Sequence, residues 1–108
     1  MSLSAMMSVS LSGMQAQQTR LAASANNVAN AMTPAYDRLE TSFASTEPGG
    51  VTASVAPSGD ETYADTSNVD LASEMLSVAE SEIGFKANSA VWETGAEIWD
   101  VLMSIKRD

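Results

Sequence analysis

The side chains of this sequence that could do chemistry are carboxylates and amides, because the chain contains neither histidine nor cysteine. That composition excludes a thiolate nucleophile, a Ser-His triad and an imidazole general base. Glu93 and Glu97 lie one helical turn apart, where paired carboxylates could bind a metal ion, but on a helix surface they are more simply a solvated face. No loop has the Asp/Asn/Gly spacing of a calcium site. We therefore expect a protein without catalytic residues, metal ligands or cofactors.

Amide side chains are concentrated before Pro34. Asn26, Asn27 and Asn30 each offer hydrogen-bond donors and an acceptor, so at a helix end they can satisfy free carbonyl groups and reach a neighbouring helix. The alternative is a frayed helix end that happens to be polar. Tyr36 is expected to pack beside this end as an amphipathic anchor.

Charge is distributed unevenly along the chain. There are 14 acidic and 5 basic side chains in 108 residues, and Arg20 is the only charged residue between Met1 and Tyr36. The net charge of −9 argues against nucleic acid or an anionic membrane surface as a partner. No stretch approaches the roughly 18 apolar residues of a membrane span, and we expect no cleaved secretory signal. The charge-poor N-terminal segment suits burial in an assembly, with an unusual surface helix as the alternative.

Hydrophobic periodicity predicts two long helices, over about residues 4–31 and 68–106. Thr33-Pro34 ends the first helix, and Ser67 is the expected N-cap of the second, with Asp70 three residues later. The apolar stripe of the first helix comprises Met7, Leu11, Met14, Gln18, Leu21, Ala25, Val28 and Met32. The stripe of the second comprises Leu71, Met75, Val78, Phe85, Trp92, Ala96, Trp99 and Met103. Each stripe is expected to be a seam that pairs with the other.

The second helix also has an apolar face on its opposite side. This second face consists of Leu76, Ile83, Ala87, Val91, Ile98, Val101 and Ile105. A strip of small residues, Ser77, Ser81, Gly84 and Gly95, runs between the two faces and permits close helix approach. In a two-helix hairpin the second face has no partner, which points to self-association or docking into a larger helical assembly. The alternative is that the connector folds back over it.

Residues 41–66 are rich in Ser, Thr, Gly and Pro and are predicted to be a connector. Residues 51–55 alternate with period two after a Gly-Gly pair, a weak signal that makes a short strand or hairpin possible, and disorder competes with it. We therefore predict one all-α domain, an antiparallel coiled-coil-like hairpin of two long helices. Its parts are an N-terminal helix and motif over 1–40, the connector over 41–66 and the C-terminal helix over 67–108.

Both ends of the chain resemble the flagellar basal-body rod proteins, most closely the small proximal-rod members. The N-terminal resemblance lies in residues 11–21, in 24–30 with its Asn-Asn-x-Ala-Asn core, and in 33–38. The C-terminal resemblance lies in 67–71, in Glu74-Met75 and in 85–88. The interaction residues this implies are Asn26, Asn27, Ala29, Asn30, Thr33, Pro34 and Tyr36 in the N-terminal motif, and Ser67, Asn68, Asp70, Leu71, Met75, Phe85, Asn88, Trp92 and Trp99 in the C-terminal motif and seam. The candidate interaction residues also include four on the second face of the C-terminal helix: Ile83, Val91, Ile98 and Ile105.

The resemblance implies a structural axial component of the flagellar rod, without enzymatic activity. It implies export without a cleaved signal by the flagellar type III apparatus, a periplasmic location in the basal body, and partners that include further copies, other rod proteins and the export apparatus. The connector is shorter than in typical rod proteins, which favours the alternative of a rod-related adaptor or assembly regulator. The family usually has glycine where Ala35 stands, so we expect a type I turn at residues 33–36 in place of a type II turn.

Overall fold

The computed structural model describes residues 2–107. Helix α1 spans Leu3–Ala29, strand β1 Leu39–Ser45, strand β2 Val51–Pro57 and helix α2 Leu71–Arg107. The two long helices lie where the hydrophobic periodicity predicted them. The predicted antiparallel hairpin of two long helices is confirmed, but the fold is not purely all-α, because two strands of seven residues each form an antiparallel hairpin between the helices. Neither helix is apolar enough over 18 residues to cross a membrane.

Local hydrogen bonds set the helix ends. The Ser2 side chain accepts from the Ala5 N–H at 3.0 Å and caps α1. Helix α2 is capped by Asp70, whose carboxylate accepts from the Ala72 N–H at 3.1 Å. The prediction that Ser67 caps α2 is therefore wrong. The Ser67 hydroxyl instead donates to the Ala31 carbonyl at 2.5 Å and ties the start of α2 to the end of α1.

The helices pair antiparallel through small side chains. A Cβ atom at Gly95 would lie 2.7 Å from Met7 Cγ, and one at Gly84 would lie 2.8 Å from Gln17 Nε2. The buried residues of α1 are Ser10, Gly13, Ala16, Ala23, Ser24 and Asn27. The predicted small-residue strip of α2 faces them. Small residues let the two backbones approach closely, so this strip forms the contact between the helices.

The two predicted seams therefore do not close on each other. Leu11 and Leu21 of α1 and Trp92 and Trp99 of α2 are all 40–51% exposed. The stripes flank the small-residue contact on one side of the helix pair, because large side chains at the closest approach would hold the backbones apart. The stripes line an open groove, and the small-residue strip, not the pairing of the two stripes that we expected, makes the closest contact between the helices.

The β hairpin packs along α1. Its register runs from Leu39 opposite Pro57 to Ser45 opposite Val51, and the Val51 N–H donates to Ser12 Oγ of α1 at 3.1 Å. Gly50 has a φ of +107° at this close approach, where a Cβ atom would lie 2.9 Å from Ser12 Oγ. The hairpin thus begins at Leu39, inside the segment predicted as the N-terminal motif, and it uses much of the predicted connector.

The turn at residues 33–36 differs from the type I turn expected. Ala35 has a φ of +60°, and the Tyr36 N–H donates to the Thr33 carbonyl at 3.3 Å. A positive φ at the third residue of such a turn is the feature of type II geometry. The Ala35 N–H donates to the carbonyls of Tyr63 (3.0 Å) and Thr66 (3.1 Å), and these bonds hold the strained conformation in place.

Candidate functional site

Asn27 is the centre of a buried polar network between the two terminal motifs. Its side chain is only 1% exposed. Nδ2 donates to the Leu39 carbonyl and to Glu74 Oε1, each at 2.9 Å. Oδ1 accepts from the Tyr36 hydroxyl at 2.8 Å and from the Leu39 N–H at 2.7 Å. One amide thereby joins α1, the turn after it, the start of β1 and the first turn of α2.

Asn26 and Asn30 complete the helix end. Asn26 Nδ2 donates to the Tyr36 hydroxyl at 3.1 Å, and Asn30 Nδ2 donates to the Asn26 carbonyl at 2.9 Å. The Thr33 hydroxyl in turn donates to Asn30 Oδ1 at 3.0 Å. Burial raises the pKa of the Tyr36 hydroxyl, and Asn26 partly opposes that effect by donating to its oxygen. The simple alternative of a frayed polar helix end does not describe this arrangement, in which the amides are held by defined partners.

Asn68 makes a second polar junction. Its Oδ1 accepts from the Arg38 N–H at 2.7 Å, and its Nδ2 donates to Asp37 Oδ1 at 3.0 Å. Asp37 also accepts from the Ser58 hydroxyl and from the Gly59 N–H. The hydrogen bond from Asn68 is the largest cause that holds the pKa of the Asp37 carboxyl below its ordinary value. The C-terminal motif is therefore bonded to the backbone of the N-terminal motif.

Two carboxylates of this region were missed as site residues by sequence reasoning. Glu74 is 6% exposed on an otherwise exposed first turn of α2, and Asp37 follows the turn at Tyr36. Both belong to the segments that carry the resemblance, 33–38 and Glu74-Met75, which is the one signal that could have pointed to them. Their roles depend on amides that lie 47 and 31 positions away in the chain. Spacing along the sequence does not reveal such partners.

The remaining motif residues lie on the surface around these junctions. Ala29, Thr33 and Pro34 are exposed at the end of α1, and Asp70 and Leu71 are exposed at the start of α2. Asn88 lies elsewhere, midway along the helix pair, where a Cβ atom at Gly13 would lie 2.5 Å from its Oδ1. The predicted set therefore divides between a polar junction at one end of the molecule and positions along the helices.

A long apolar groove runs along one side of the helix pair. It has two pockets, of 260 Å³ and 410 Å³. Met7 and Leu11 of α1 and Trp92 and Trp99 of α2 line the first pocket. Leu21, Val78 and Phe85 line the second, together with the polar residues Gln17, Gln18, Ser81, Glu82 and Lys86. Gln17 Oε1 is buried beside this pocket and accepts no hydrogen bond from the described residues.

The second face of α2 is also uncovered. Leu76, Ile83, Val91, Ile98, Val101 and Ile105 are all 42–69% exposed. The hairpin packs on α1, so the alternative in which the connector folds back over this face does not occur. Helix α2 thus presents large apolar side chains on two sides, separated by the strip that contacts α1.

Charged groups pair on the surface between these faces. Arg20 forms an ion pair with Glu80 and also donates from Nε to Ser77 Oγ at 3.0 Å. Lys86 pairs with Glu82 at 2.7 Å, and that hydrogen bond lowers the pKa of the Glu82 carboxyl. Arg38 pairs with Asp60 at 2.8 Å. Within the described part of the chain no group of carboxylates is gathered closely enough to hold a metal ion.

The comparisons with known proteins point to the flagellum. Residues 7–36 match the family model described as flagella basal body rod protein. The chain is 44% identical to the flagellar hook protein FlgE of Rhizobium meliloti (strain 1021) over 43 residues, which is 40% of this chain and 11% of that protein. It is 53% identical to the flagellar hook protein FlgE of Brucella suis biovar 1 (strain 1330) over 41 residues, or 38% of this chain and 10% of the relative.

The chain spans about a tenth of the length of the curated relatives it matches. The matched family segment contains Asn26, Asn27, Asn30 and Tyr36, the residues that build the buried junction at the end of α1. The family is one of structural flagellar components and not a family of enzymes. The resemblance of the N-terminal segment to the flagellar basal-body rod proteins is thereby confirmed, over residues 7–36.

Proposed function

We propose that this chain is a structural, axial subunit of the flagellar basal-body rod that assembles through its two long helices. The observation that carries the proposal is the distribution of apolar surface. Small residues and a polar network hold the helix pair together, while the large apolar side chains of α2 stay about half exposed on two sides. Exposed apolar surface of this extent is typical of a subunit whose partners cover it.

The groove has the features of a packing site for another helix. Its floor is the close contact between α1 and α2, and its walls carry the aromatic and aliphatic side chains of both stripes. Gln17 Oε1 is an acceptor beside it for which a neighbouring chain can supply a donor. Aromatic anchors in a desolvated pocket contribute most of the binding energy in many interfaces. Trp92 and Trp99 are therefore the expected anchors.

The cellular part of the proposal follows the family. The subunit is exported by the flagellar type III apparatus without a cleaved signal and joins the periplasmic rod, where its partners are further copies and other rod proteins. The charge-poor surface of α1 supports burial in such an assembly, since interface cores are depleted of charge. The acids, in contrast, all follow Tyr36 in the sequence.

The test is co-fractionation of an epitope-tagged chain with purified basal bodies. Ile98→Asp places a charge on the second face and should reduce incorporation at least tenfold. Thr94→Asp makes the same charge change at an exposed polar position of α2 and is the matched control. Normal rods and motility in a deletion strain would contradict the proposal. A soluble species that binds a rod protein but never enters the basal body would favour the adaptor alternative.

A further inference from the structure

The α2 side of the apolar groove has an acidic rim, which consists of Glu93 and Asp100. Each of these exposed residues directly follows a tryptophan of the groove wall, Trp92 or Trp99. Gly95 of α2 faces α1. On a helix each position is rotated by about 100° from the last, so Glu93 and Gly95 lie on opposite sides of Trp92. The acidic rim therefore borders the groove on the side away from α1.

Bases on α2 offset little of this charge. Lys86 is already paired with Glu82 at 2.7 Å, and both line the second pocket. Residues 87–100, which include both tryptophans, contain three acids and no base. Lys106 and Arg107 come later in the sequence than any residue that lines the two pockets. Negative charge is thus concentrated beside the first pocket.

The opposite wall of the groove belongs to α1 and is neutral. Arg20 is the only charged residue of this helix, and it pairs with Glu80 and lines neither pocket of the groove. The polar residues that α1 contributes to the two pockets are Ser4, Ser8, Gln17 and Gln18. An occupant of the groove therefore meets carboxylates along one of its sides and neutral side chains along the other.

A second copy of this chain lacks a matching row of bases. Of its five basic residues, Arg20, Arg38 and Lys86 already pair with carboxylates of their own chain. The other two are neighbours in the sequence, whereas the two acids of the rim are about 10 Å apart along α2. Docking of a second α2 would also bring acids against acids, which disfavours that pairing.

The floor of the groove adds a second requirement. Gln17 Oε1 is buried beside the second pocket and accepts no hydrogen bond from the described part of the chain. A buried acceptor of this kind is normally satisfied by a donor. Lysine and arginine side chains are donors without acceptors, so a basic occupant can satisfy Gln17 as well as the acidic rim.

From this distribution of charge we propose that the groove binds an amphipathic helix of another protein. The apolar stripe of that helix is flanked on one side by lysine or arginine and on the other by neutral residues. The inference deepens the proposed function, on which it rests, by stating the chemistry of the partner. Trp92 and Trp99 anchor the helix, and the one-sided acidic rim fixes its direction, because only one direction places the basic flank against α2.

The fluorescence of the protein reports directly on this groove, because Trp92 and Trp99 are its only tryptophans. The probes are three synthetic helical peptides without tryptophan that share one leucine stripe and differ only in one flank, which carries lysine, glutamine or glutamate. Each peptide is titrated into the folded, full-length chain. The lysine peptide should shift the tryptophan emission to shorter wavelength and bind about tenfold more tightly than the glutamine peptide. The glutamate peptide should bind most weakly, and added salt should reduce these differences.

Substitutions in the protein test the acidic rim. Glu93→Gln combined with Asp100→Gln should weaken binding of the lysine peptide about tenfold and leave binding of the glutamine peptide unchanged. Glu47→Gln combined with Glu61→Gln is the matched control, because it makes the same change of net charge at exposed acids outside the groove. This control should bind the lysine peptide as the unsubstituted chain does. Equal losses in the two double variants would overturn the proposal, since only the overall charge would then matter.

Two single substitutions test the location. Leu11→Gln in the wall of the first pocket should abolish the wavelength shift, whereas Ile98→Gln on the second face should retain it. Circular dichroism of each variant confirms that the helices are intact. Equal affinity for the lysine and glutamine peptides, or binding of neither, would overturn the proposal. A wavelength shift that grows with the concentration of the chain alone and blocks the lysine peptide would also overturn it, in favour of a second copy in the groove.

The outcome for the groove is separable from the outcome for the proposed function. If the lysine peptide did not bind selectively but the tagged chain still co-fractionated with basal bodies, the proposed function would stand and the basic partner would be lost. If the peptide bound selectively but the chain never entered basal bodies, the groove would still bind a basic helix and the structural role in the rod would be lost.

Discussion

Replacement of Asn27 by alanine should be among the most destabilising single substitutions in this chain. The change removes all four hydrogen bonds of a side chain that is 1% exposed. It leaves the Leu39 N–H and the Glu74 carboxylate without this partner in a buried place. An orphaned buried polar group costs about 1–3 kcal/mol, and a charged one costs more, so the expected loss is about 3–5 kcal/mol.

The assay is urea unfolding followed by the circular dichroism of the helices. With a slope of about 1–2 kcal/mol per molar urea, the urea concentration at the unfolding midpoint should fall by about 1.5–5 M. Asn26→Ala is the matched control, because Asn26 is the exposed neighbour and its side chain contributes a 3.1 Å hydrogen bond to Tyr36. Asn26→Ala should lower the free energy of unfolding by less than about 1 kcal/mol, as expected for an ordinary exposed hydrogen bond.

Asn27→Asp tests the Nδ2 donor of this side chain separately from the shape of the side chain. The carboxylate keeps the acceptor for Leu39 and Tyr36 but replaces the Nδ2 donor with an anion that faces Glu74. At neutral pH this substitution should lower the free energy of unfolding by as much as Asn27→Ala or more, because two carboxylates would meet in a buried site. If Asn27→Ala unfolded at the same urea concentration as Asn26→Ala, the network would not be a stabilising junction and the reasoning would be refuted.

Three further predictions concern the rest of the fold. Gly84→Leu should force the helices apart and lower the free energy of unfolding, measured by heat or urea, by about 1–3 kcal/mol. Ala79→Leu, on the exposed side of α2, is the control and should be nearly neutral. Equal effects of the two substitutions would contradict the close contact between the helices. Ala35→Gly should raise stability by about 0.5–1 kcal/mol by relieving the positive φ, and a loss would show that the turn is not strained. The folded pKa of Asp37 lies below its ordinary value of 3.8, so its contribution is complete above that value and is lost as the pH falls through the folded pKa. Asn68→Ala should therefore weaken the pH dependence of unfolding in this acidic range, and an unchanged acid transition would contradict the role of that hydrogen bond.

The two helices follow from local sequence, and this is why they were predicted well. Apolar residues at spacings of three and four define α1 and α2, and Thr33-Pro34 stops the first of them. The β hairpin is different. The period-two alternation at Val51 indicated a β element, but β1 becomes a strand only when its backbone pairs with β2 and packs on α1. An isolated two-stranded hairpin is marginally stable, so its existence depends on that tertiary contact.

The same division holds for the site. The types and order of Asn26, Asn27, Asn30 and Tyr36 marked the N-terminal motif without any structure. Sequence spacing could not show which of these four residues is fully buried, or that Glu74 is the partner of Asn27, because Asn27 and Glu74 are far apart in the chain and meet only in the helix pair.

By itself the sequence determined two amphipathic helices, a chain without catalytic side chains of the His or Cys type, and the signature of the rod family. Only the tertiary structure decided which helix face pairs within the chain. The helices contact each other through the small-residue strip and not through the larger apolar stripes. The small residues allow the two backbones to approach closely, and the polar junction at Asn27 holds the helices in that orientation. The large side chains remain on the surface for partners.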